Sequence, residues 1–230
     1  MTQAPRGAAD TAAPTDSPVT ARPLPALAWA VAALIVAVVL ALTFPAWRYS
    51  VSYAWSLSAN YLLTWGPLVV ALAFTAAFWR RFLAFRPTDI YLGIMVGVVA
   101  RAVGIIVQYL ISGRMPGGNL ILGGVSGIYI FTAVIAPVVL APLIEEPFFR
   151  GLLQGSLDRV IGPWPALIAT SVVFTLVHTI AEGWSVTLIV TLLVYALLAG
   201  YVTQQTKRLA PAIIGHAAFN GLAALISWPW

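Results

Sequence analysis

The chain contains no cysteine, and only 8% of its 230 residues are charged. The lack of cysteine excludes disulfides, thiolate nucleophiles and cysteine-based zinc sites. The low charge excludes an ordinary soluble domain, in which about a quarter of the residues are charged. Hydrophobic residues make up 61% of the chain, and the mean hydropathy is +0.94. This composition is typical of a polytopic membrane protein, and the continuous apolar runs, which lack strict alternation, predict helices rather than a transmembrane barrel.

The apolar runs predict an all-α fold, a bundle of seven to eight membrane-spanning helices with a polar cavity embedded in the membrane. Residues 1–25 are rich in Ala, Pro and Thr and poor in large apolar side chains, so they are expected to form a disordered cytoplasmic tail. Residues 26–230 are expected to form a single transmembrane domain. Seven spans are predicted at residues 26–44, 60–79, 89–112, 128–157, 163–180, 184–203 and 209–228.

Basic residues are distributed unevenly between the two sides of this layout. Eight lie in the tail or in connections on the same side as the tail, and two, Arg48 and Arg114, lie in connections on the other side. The positive-inside rule therefore places the N-terminus in the cytoplasm. The eleven Arg against one Lys indicate a GC-rich bacterial genome, so the expected location is a bacterial plasma membrane. Because the basic residues form no compact patch, no nucleic-acid partner is predicted.

Prolines and glycines indicate where helices bend or pack. Pro137, Pro142 and Pro147 are spaced five apart in the fourth span, and each removes a backbone donor. That helix is therefore expected to be bent or irregular and to lie beside a wet cavity. Glycine pairs at small-xxx-small spacing predict close helix crossings at Gly93/Gly97, Gly123/Gly127 and Gly151/Gly155.

The fourth span also carries a dense group of charges, Glu145, Glu146 and Arg150. Ionisable side chains at membrane depth are costly, so they indicate a functional site. Glu146 and Arg150 lie four residues apart on one helix face and are expected to pair, whereas Glu145 points about 100° away. Glu145 is therefore the candidate base. The alternative is a buried Glu–Arg pair that only joins helices, which would leave Glu145 without a partner.

Both histidines of the chain lie inside predicted spans, where His178 shares a helix face with Phe174 and His216 shares one with Asn220. A carboxylate and an imidazole can deprotonate water and return the proton to a leaving amine. The other His and the Asn can donate hydrogen bonds to a tetrahedral oxyanion. The same groups could instead bind a divalent metal, because two His and one Glu with an open position form a catalytic zinc set.

The depth of each residue in the membrane tests whether this site can form. At about 1.5 Å per residue, Glu145 lies about 18 Å from the end of its span, and His178 lies about 22 Å from the start of the next. We therefore expect the fifth span to be tilted or to begin deeper. Arg101 lies in the middle of the third span, where it could bind a substrate carboxylate, pair with a glutamate or serve a structural role.

Three motifs on successive hydrophobic segments resemble those of the CAAX-protease and bacteriocin-processing (CPBP, or ABI) family of intramembrane proteases. The resemblance covers about residues 128–228, which would be the catalytic core, and it implies an all-helical membrane endopeptidase. Eukaryotic members of that family remove the last three residues of prenylated CAAX proteins. The motifs are Glu145-Glu146-x-x-x-Arg150, Phe174-x-x-x-His178 and His216-x-x-x-Asn220.

The resemblance implies a role for each motif residue. Water would be activated by Glu145 and His178, the oxyanion site would be formed by His216 and Asn220, and support would come from Glu146 and Arg150. Family members are described both as metal-dependent and as metal-free. The expected cofactor is therefore either none or a divalent metal such as zinc, held by Glu145, His178 and His216.

The sequence thus predicts an intramembrane endopeptidase whose substrate is a peptide or a membrane protein within the lipid bilayer. The alternative is a non-catalytic membrane immunity or scaffold protein, or a small proton-coupled transporter, because intramembrane Glu and His also suit proton transfer. Asn220 favours hydrolysis, since an oxyanion donor has a clear use in acyl transfer and less use in proton transport.

Overall fold

A computed structural model describes residues 22–43, 53–116 and 127–226 of the chain. Most of the predicted tail, the connection that holds Arg48, Gly123 and the last four residues lie outside this part. The described residues form helices and no strand, which confirms the predicted all-α class. The helices are α1 (Pro23–Thr43), α2 (Tyr53–Phe74), α3 (Ala76–Trp79, continued by the 3-10 turn Arg80–Phe82), α4 (Thr88–Ser112), α5 (residues 127–161), α6 (Pro163–Glu182), α7 (Val186–Thr206) and α8 (Ala210–Ile226).

Four of the described helices, α1, α4, α6 and α7, are long and apolar enough to cross a membrane. A fifth candidate is the bent pair Ala59–Phe74 and Ala76–Phe82, whose two parts meet at 77°. Helix α8 is apolar but has 17 residues, and α5 is interrupted by changes of helix type. Apolar helices of this length are those expected of an integral membrane protein.

The bend between α2 and α3 occurs at Thr75, where the sequence predicts an unbroken span. The Thr75 hydroxyl donates to the carbonyl of Ala71 at 2.6 Å, a local bond that competes with the helix ladder and often bends it. The Trp79 indole N–H donates to the carbonyl of Leu72 at 2.8 Å and so satisfies an acceptor near the end of α2.

The irregularity predicted from the prolines is present in α5. Its backbone alternates between α-helical and π-helical turns, with π-helix at Phe131–Leu140 and at Pro147–Gln154, on either side of the α-helical Ala141–Glu146. In the first π stretch the N–H of Ala141 bonds the carbonyl of Ala136, five residues back. Prolines disturb the ordinary four-residue ladder, and π turns of this kind are frequent at functional sites.

Two of the three glycine pairs lie at helix contacts. A Cβ on Gly93 would lie 2.6 Å from Ile214 Cβ, and one on Gly97 would lie 2.6 Å from the carbonyl oxygen of Gly215, so α4 and α8 approach closely. Gly151 and Gly155 face aromatic side chains of the α3 segment. Around Gly127 the space is open, so that residue supports no close crossing among the described residues.

An ion pair joins the connections at one end of the bundle. The Arg208 guanidinium, between α7 and α8, donates to both carboxylate oxygens of the buried Asp89 at the start of α4, with contacts of 2.6 to 3.0 Å. Hydrogen bonds to Asp89 raise the pKa of Arg208 above its usual value. The N–H of Leu209 also donates to the carbonyl of Phe82 at 2.8 Å, which ties the same connection to α3. These bonds join the connection between α7 and α8 to α3 and α4.

Candidate active site

The adjacent glutamates lie in the α-helical turn of α5 between its two π stretches. Glu145 is 7% exposed and Glu146 is fully buried. Because neighbouring residues on a helix point about 100° apart, the two carboxylates face different helices. Each therefore has its own set of partners, as the sequence predicts.

Glu146 is the centre of a buried network that joins three helices. Its Oε2 accepts from Arg150 Nε at 3.1 Å, which is the predicted pair. Its Oε1 accepts from the Tyr195 hydroxyl of α7 at 3.0 Å and faces His216 Nδ1 of α8 at 2.9 Å. A buried ion pair offsets its desolvation only when further hydrogen bonds satisfy both partners. Glu146 has such bonds, whereas Nη1 and Nη2 of Arg150 have no hydrogen-bond partner among the described residues.

Only one carboxylate oxygen of Glu145 accepts a hydrogen bond from the described residues. Its Oε1 accepts a hydrogen bond from the Trp65 indole of α2 at 2.9 Å. Its Oε2 is buried, lies 3.4 Å from His178 Nε2 and has no hydrogen-bond partner among the described residues. An ionised carboxylate oxygen in this state is a strong acceptor for a proton or a water molecule.

The tautomer of His178 follows from its own helix. Its Nδ1 lies 2.8 Å from the carbonyl of Phe174, and since a carbonyl can only accept, Nδ1 carries a proton. The ring stacks on Phe174, with centroids 4.2 Å apart. The i, i+4 spacing that pairs these residues in the sequence thus orients His178 so that Nε2 is directed at Glu145.

His216 and Asn220 lie one turn apart on α8. His216 is buried and held by Glu146, and its ring packs 5.1 Å from that of Tyr195. Asn220 Nδ2 donates to the carbonyl of Pro137 at 2.7 Å. In a π-helical register that carbonyl would receive the N–H of residue 142, but Pro142 has none. The proline of α5 therefore provides the acceptor that orients Asn220.

A single cavity of about 710 Å³ is lined by all four of the predicted catalytic residues, Glu145, His178, His216 and Asn220. Its volume lies within the range of small-molecule and peptide-segment pockets. The predicted supporting residues Glu146 and Arg150 do not line the cavity and lie behind its wall. The three motifs therefore meet around one space.

The convergence follows from the α5–α6 hairpin, and it corrects the predicted depths. Glu145 lies 17 residues before Gly162 at the turn, and His178 lies 16 residues after it. The sequence ends the fourth span at Leu157, but the helix continues to Ile161, which places Glu145 about 24 Å from its end. Counted from Gly162, the two residues thus lie at nearly the same distance along their helices, so their approach needs neither of the predicted adjustments, a tilted fifth span or one that begins deeper.

The metal-dependent alternative named Glu145, His178 and His216 as ligands. Among the residues that the structure describes, no group of three or more His, Cys, Asp or Glu side chains is arranged to hold a metal ion. His216 Nδ1 faces Glu146, whereas His178 Nε2 faces Glu145, so the two imidazoles serve different carboxylates. The donor set does not fit a catalytic zinc site, which needs three ligands that converge on one point.

Two aromatic residues of the site were missed from the sequence, Trp65 and Tyr195. Each has its polar atom on one of the glutamates, but each lies in an apolar segment far along the chain. The sequence could have indicated them, because a Trp or Tyr inside a span, away from the interface, needs a hydrogen-bond partner. Arg101, which also lines the cavity, donates through Nε and Nη2 to the carbonyl of Phe219 at 3.2 and 2.9 Å, and its guanidinium lies over the Phe219 ring.

Comparison with known families agrees with this site. Residues 127–222 match the family model described as type II CAAX prenyl endopeptidase Rce1-like. The match includes both glutamates, both histidines and Asn220, and it confirms the resemblance drawn from the motifs. The family indicates a protease with a peptide substrate in a membrane environment. Neither a curated protein nor a solved structure gave a match.

Proposed function

Because residues 127–222 match the Rce1-like CAAX-protease family model, we propose that this protein is an intramembrane endopeptidase that hydrolyses a peptide bond with water activated by Glu145 and His178. The observation that carries the proposal is the state of Glu145 Oε2. This oxygen is buried, accepts no hydrogen bond from the described residues, and lies 3.4 Å from His178 Nε2 beside the cavity.

In the first step, a water molecule in the cavity contacts both Glu145 Oε2 and His178 Nε2. Glu145 takes one proton while the water oxygen bonds the carbonyl carbon of the scissile peptide. The carbonyl π pair moves onto oxygen and gives a tetrahedral oxyanion. A positioned base of this kind contributes about 10²- to 10⁴-fold to the rate. The hydrogen bond from Trp65 occupies Oε1, so Oε2 is the oxygen that can accept the proton of the water.

The oxyanion would be stabilised by two side chains of α8. Asn220 uses one N–H of its amide on Pro137, and its second N–H is available to the oxyanion. His216 donates Nδ1–H to Glu146, so its Nε2 can donate only when the ring carries both protons. The Glu146 carboxylate lies where it balances that charge. Loss of one oxyanion donor typically costs about 10²- to 10³-fold in kcat.

Collapse of the oxyanion breaks the C–N bond. The proton held by Glu145 passes, directly or through His178 Nε2, to the leaving nitrogen, so that an amine and a carboxylic acid result. The water thus supplies the new hydroxyl group of the acid and the new proton of the amine. Glu145 and His178 return to their starting state.

Glu146 and Arg150, which do not line the cavity, would support this chemistry without touching the substrate, and Tyr195 would support it through its bond to Glu146. They set the position of His216 through Glu146, which is bonded to α7 and α8 as well as to Arg150 of its own helix. The substrate is a peptide or a segment of a membrane protein that enters the cavity from the bilayer. Much of the lining is apolar, which suits a hydrophobic segment beside the scissile bond.

The test is the Glu145→Gln variant, assayed with a fluorescence-quenched peptide in detergent or lipid nanodiscs. Glutamine keeps the size and the acceptor for Trp65 but cannot take a proton from water, so we expect a loss of at least about 10²-fold in kcat. Asp158→Asn is the matched control, since Asp158 is a carboxylate of the same helix that pairs with Lys207 and does not line the cavity. It should remain active.

The same pair of variants separates the alternatives. A scaffold or immunity protein would keep its cellular function in Glu145→Gln, and a proton-coupled transporter would show flux in liposomes that the variant abolishes. Retained peptide hydrolysis in a folded Glu145→Gln protein, judged by an unchanged Tm, would overturn the proposed base.

A further inference from the structure

We propose that Trp65 is the positioning residue for the proposed catalytic base: its indole N–H holds Oε1 of Glu145 so that Oε2 is presented to His178 and water. The inference rests on the proposed function. The contact of 2.9 Å between Trp65 Nε1 and Glu145 Oε1 carries it. Trp65 belongs to α2 and lies outside the segment 127–222 that matches the protease family. It is therefore a site contribution that the family motifs do not contain.

The need for such a residue follows from the freedom of a glutamate side chain. Its terminal torsion is broad and two-fold, so the two oxygens exchange positions unless one of them is held. His178 alone cannot hold the carboxylate, since its Nε2 is 3.4 Å from Oε2 and makes no hydrogen bond to it. The Trp65 donor removes this freedom on the Oε1 side. Hydrogen bonds to ionised groups are shorter and stronger than neutral ones, which makes a single donor effective.

Trp65 is itself held in place by its neighbour one turn earlier. Tyr61 stacks on it with centroids 4.7 Å apart and an angle of 28° between the rings. The Tyr61 hydroxyl donates to the carbonyl of Thr132 at 3.1 Å, five residues before Pro137. One face of α2 therefore binds α5 at two places, Thr132 and Glu145. The stacked Tyr61 therefore fixes the position of the Trp65 indole N–H relative to α5.

A purely structural role for Trp65 would have different consequences. If the ring only filled space, then Phe would replace it with a small cost in packing and no specific effect on turnover. If the N–H positions Glu145, then Phe should lower kcat while KM stays constant, because the substrate does not contact the lost atom. The split between kcat and KM thus distinguishes the two roles.

The experiment compares Trp65→Phe with Trp65→His in the full-length protein, using the fluorescence-quenched peptide. Nε2 of a histidine ring occupies nearly the same place relative to Cβ as Nε1 of an indole, so Trp65→His can restore the donor. We expect Trp65→Phe to lower kcat by roughly ten- to hundredfold, as misplacement of a catalytic group does, and Trp65→His to recover part of that loss. KM should change less than kcat in both.

Trp79→Phe is the matched control, because it also removes one indole hydrogen bond, to the carbonyl of Leu72 rather than to a carboxylate. It should lower Tm without a specific loss of kcat. Full kcat in Trp65→Phe would overturn the inference. So would equal losses in Trp65→Phe and Trp79→Phe that follow their losses in Tm.

A spectroscopic measurement tests the contact without a substrate. Ultraviolet resonance Raman bands of tryptophan report hydrogen bonding at the indole N–H. Glu145→Ala should convert one hydrogen-bonded indole to a free one, and Trp65→Phe should remove that same component; unchanged spectra in Glu145→Ala would overturn the contact. If Glu145→Gln is inactive and Trp65→Phe is fully active, only the inference fails. If Glu145→Gln is active, the proposed function fails with it.

Discussion

We expect Gly97→Ala to lower the rate of hydrolysis although Gly97 is not one of the proposed catalytic residues. Gly97 lies on α4 where that helix crosses α8, and a Cβ there would lie 2.6 Å from Gly215 O, 2.7 Å from Ala218 Cβ and 2.8 Å from Phe219 N. None of these atoms is the end of a flexible side chain, so the helices themselves must separate. The shortest of these contacts must lengthen by about 0.8 Å to reach an ordinary 3.4 Å.

Two effects of Gly97→Ala follow from that displacement. Overpacking of a close contact costs about 1–3 kcal/mol, which lowers Tm. Helix α8 also carries His216 and Asn220, and a misplacement of about 1 Å in catalytic groups lowers the rate by up to about 10²-fold. We therefore expect kcat for the quenched peptide to fall roughly ten- to hundredfold.

Gly127→Ala is the control for the glycine substitution, because a Cβ at Gly127 meets nothing within 4 Å. Alanine is the better helix former, so this variant should be neutral or slightly more stable. Rates and thermal unfolding of both variants should be measured in the same nanodiscs. Gly97→Ala with full activity and an unchanged Tm would refute the idea that this crossing positions the proposed oxyanion donors.

The remaining predictions concern an ion pair and a cofactor. Asp89→Asn removes the charge that Arg208 binds, so we expect a lower Tm with kcat nearly unchanged; the double variant with Arg208→Gln should lose less than the sum of the single variants, and strict additivity would contradict a direct coupling. Because Glu145, His178 and His216 do not converge as metal ligands, hydrolysis should continue in EDTA; inhibition that added zinc reverses would show that the site rearranges around a metal.

The parts of the site that could be predicted are those set by spacing along one helix. Glu146 pairs with Arg150, and His178 bonds the carbonyl of Phe174, because residues four apart meet on a helix in any fold. Tyr195 could not be assigned in this way. Its hydroxyl reaches Glu146 from a helix 49 residues later, and an aromatic residue in an apolar segment otherwise suits the lipid as well as the interior.

The predicted fourth span ends four residues before the helix does, and this difference has a physical cause. The charged pair Asp158-Arg159 suggests that the membrane span ends near Leu157, but charge marks the edge of the apolar layer rather than the end of a helix. The backbone leaves the helix at Gly162, whose φ of 85° favours glycine. The four extra residues bring Glu145 to the depth of His178.

The prolines of α5 limit how this site could be moved to another protein. Pro142 lacks the N–H that a π-helical turn would direct to Pro137, and Asn220 binds that carbonyl instead. In a helix with alanine at position 142, the backbone would compete for the same oxygen and the amide would be free to rotate. Moving only the Glu, His and Asn side chains to another protein would therefore not reproduce the site. The orientation of Asn220 on α8 also depends on the proline of α5 that lacks an N–H.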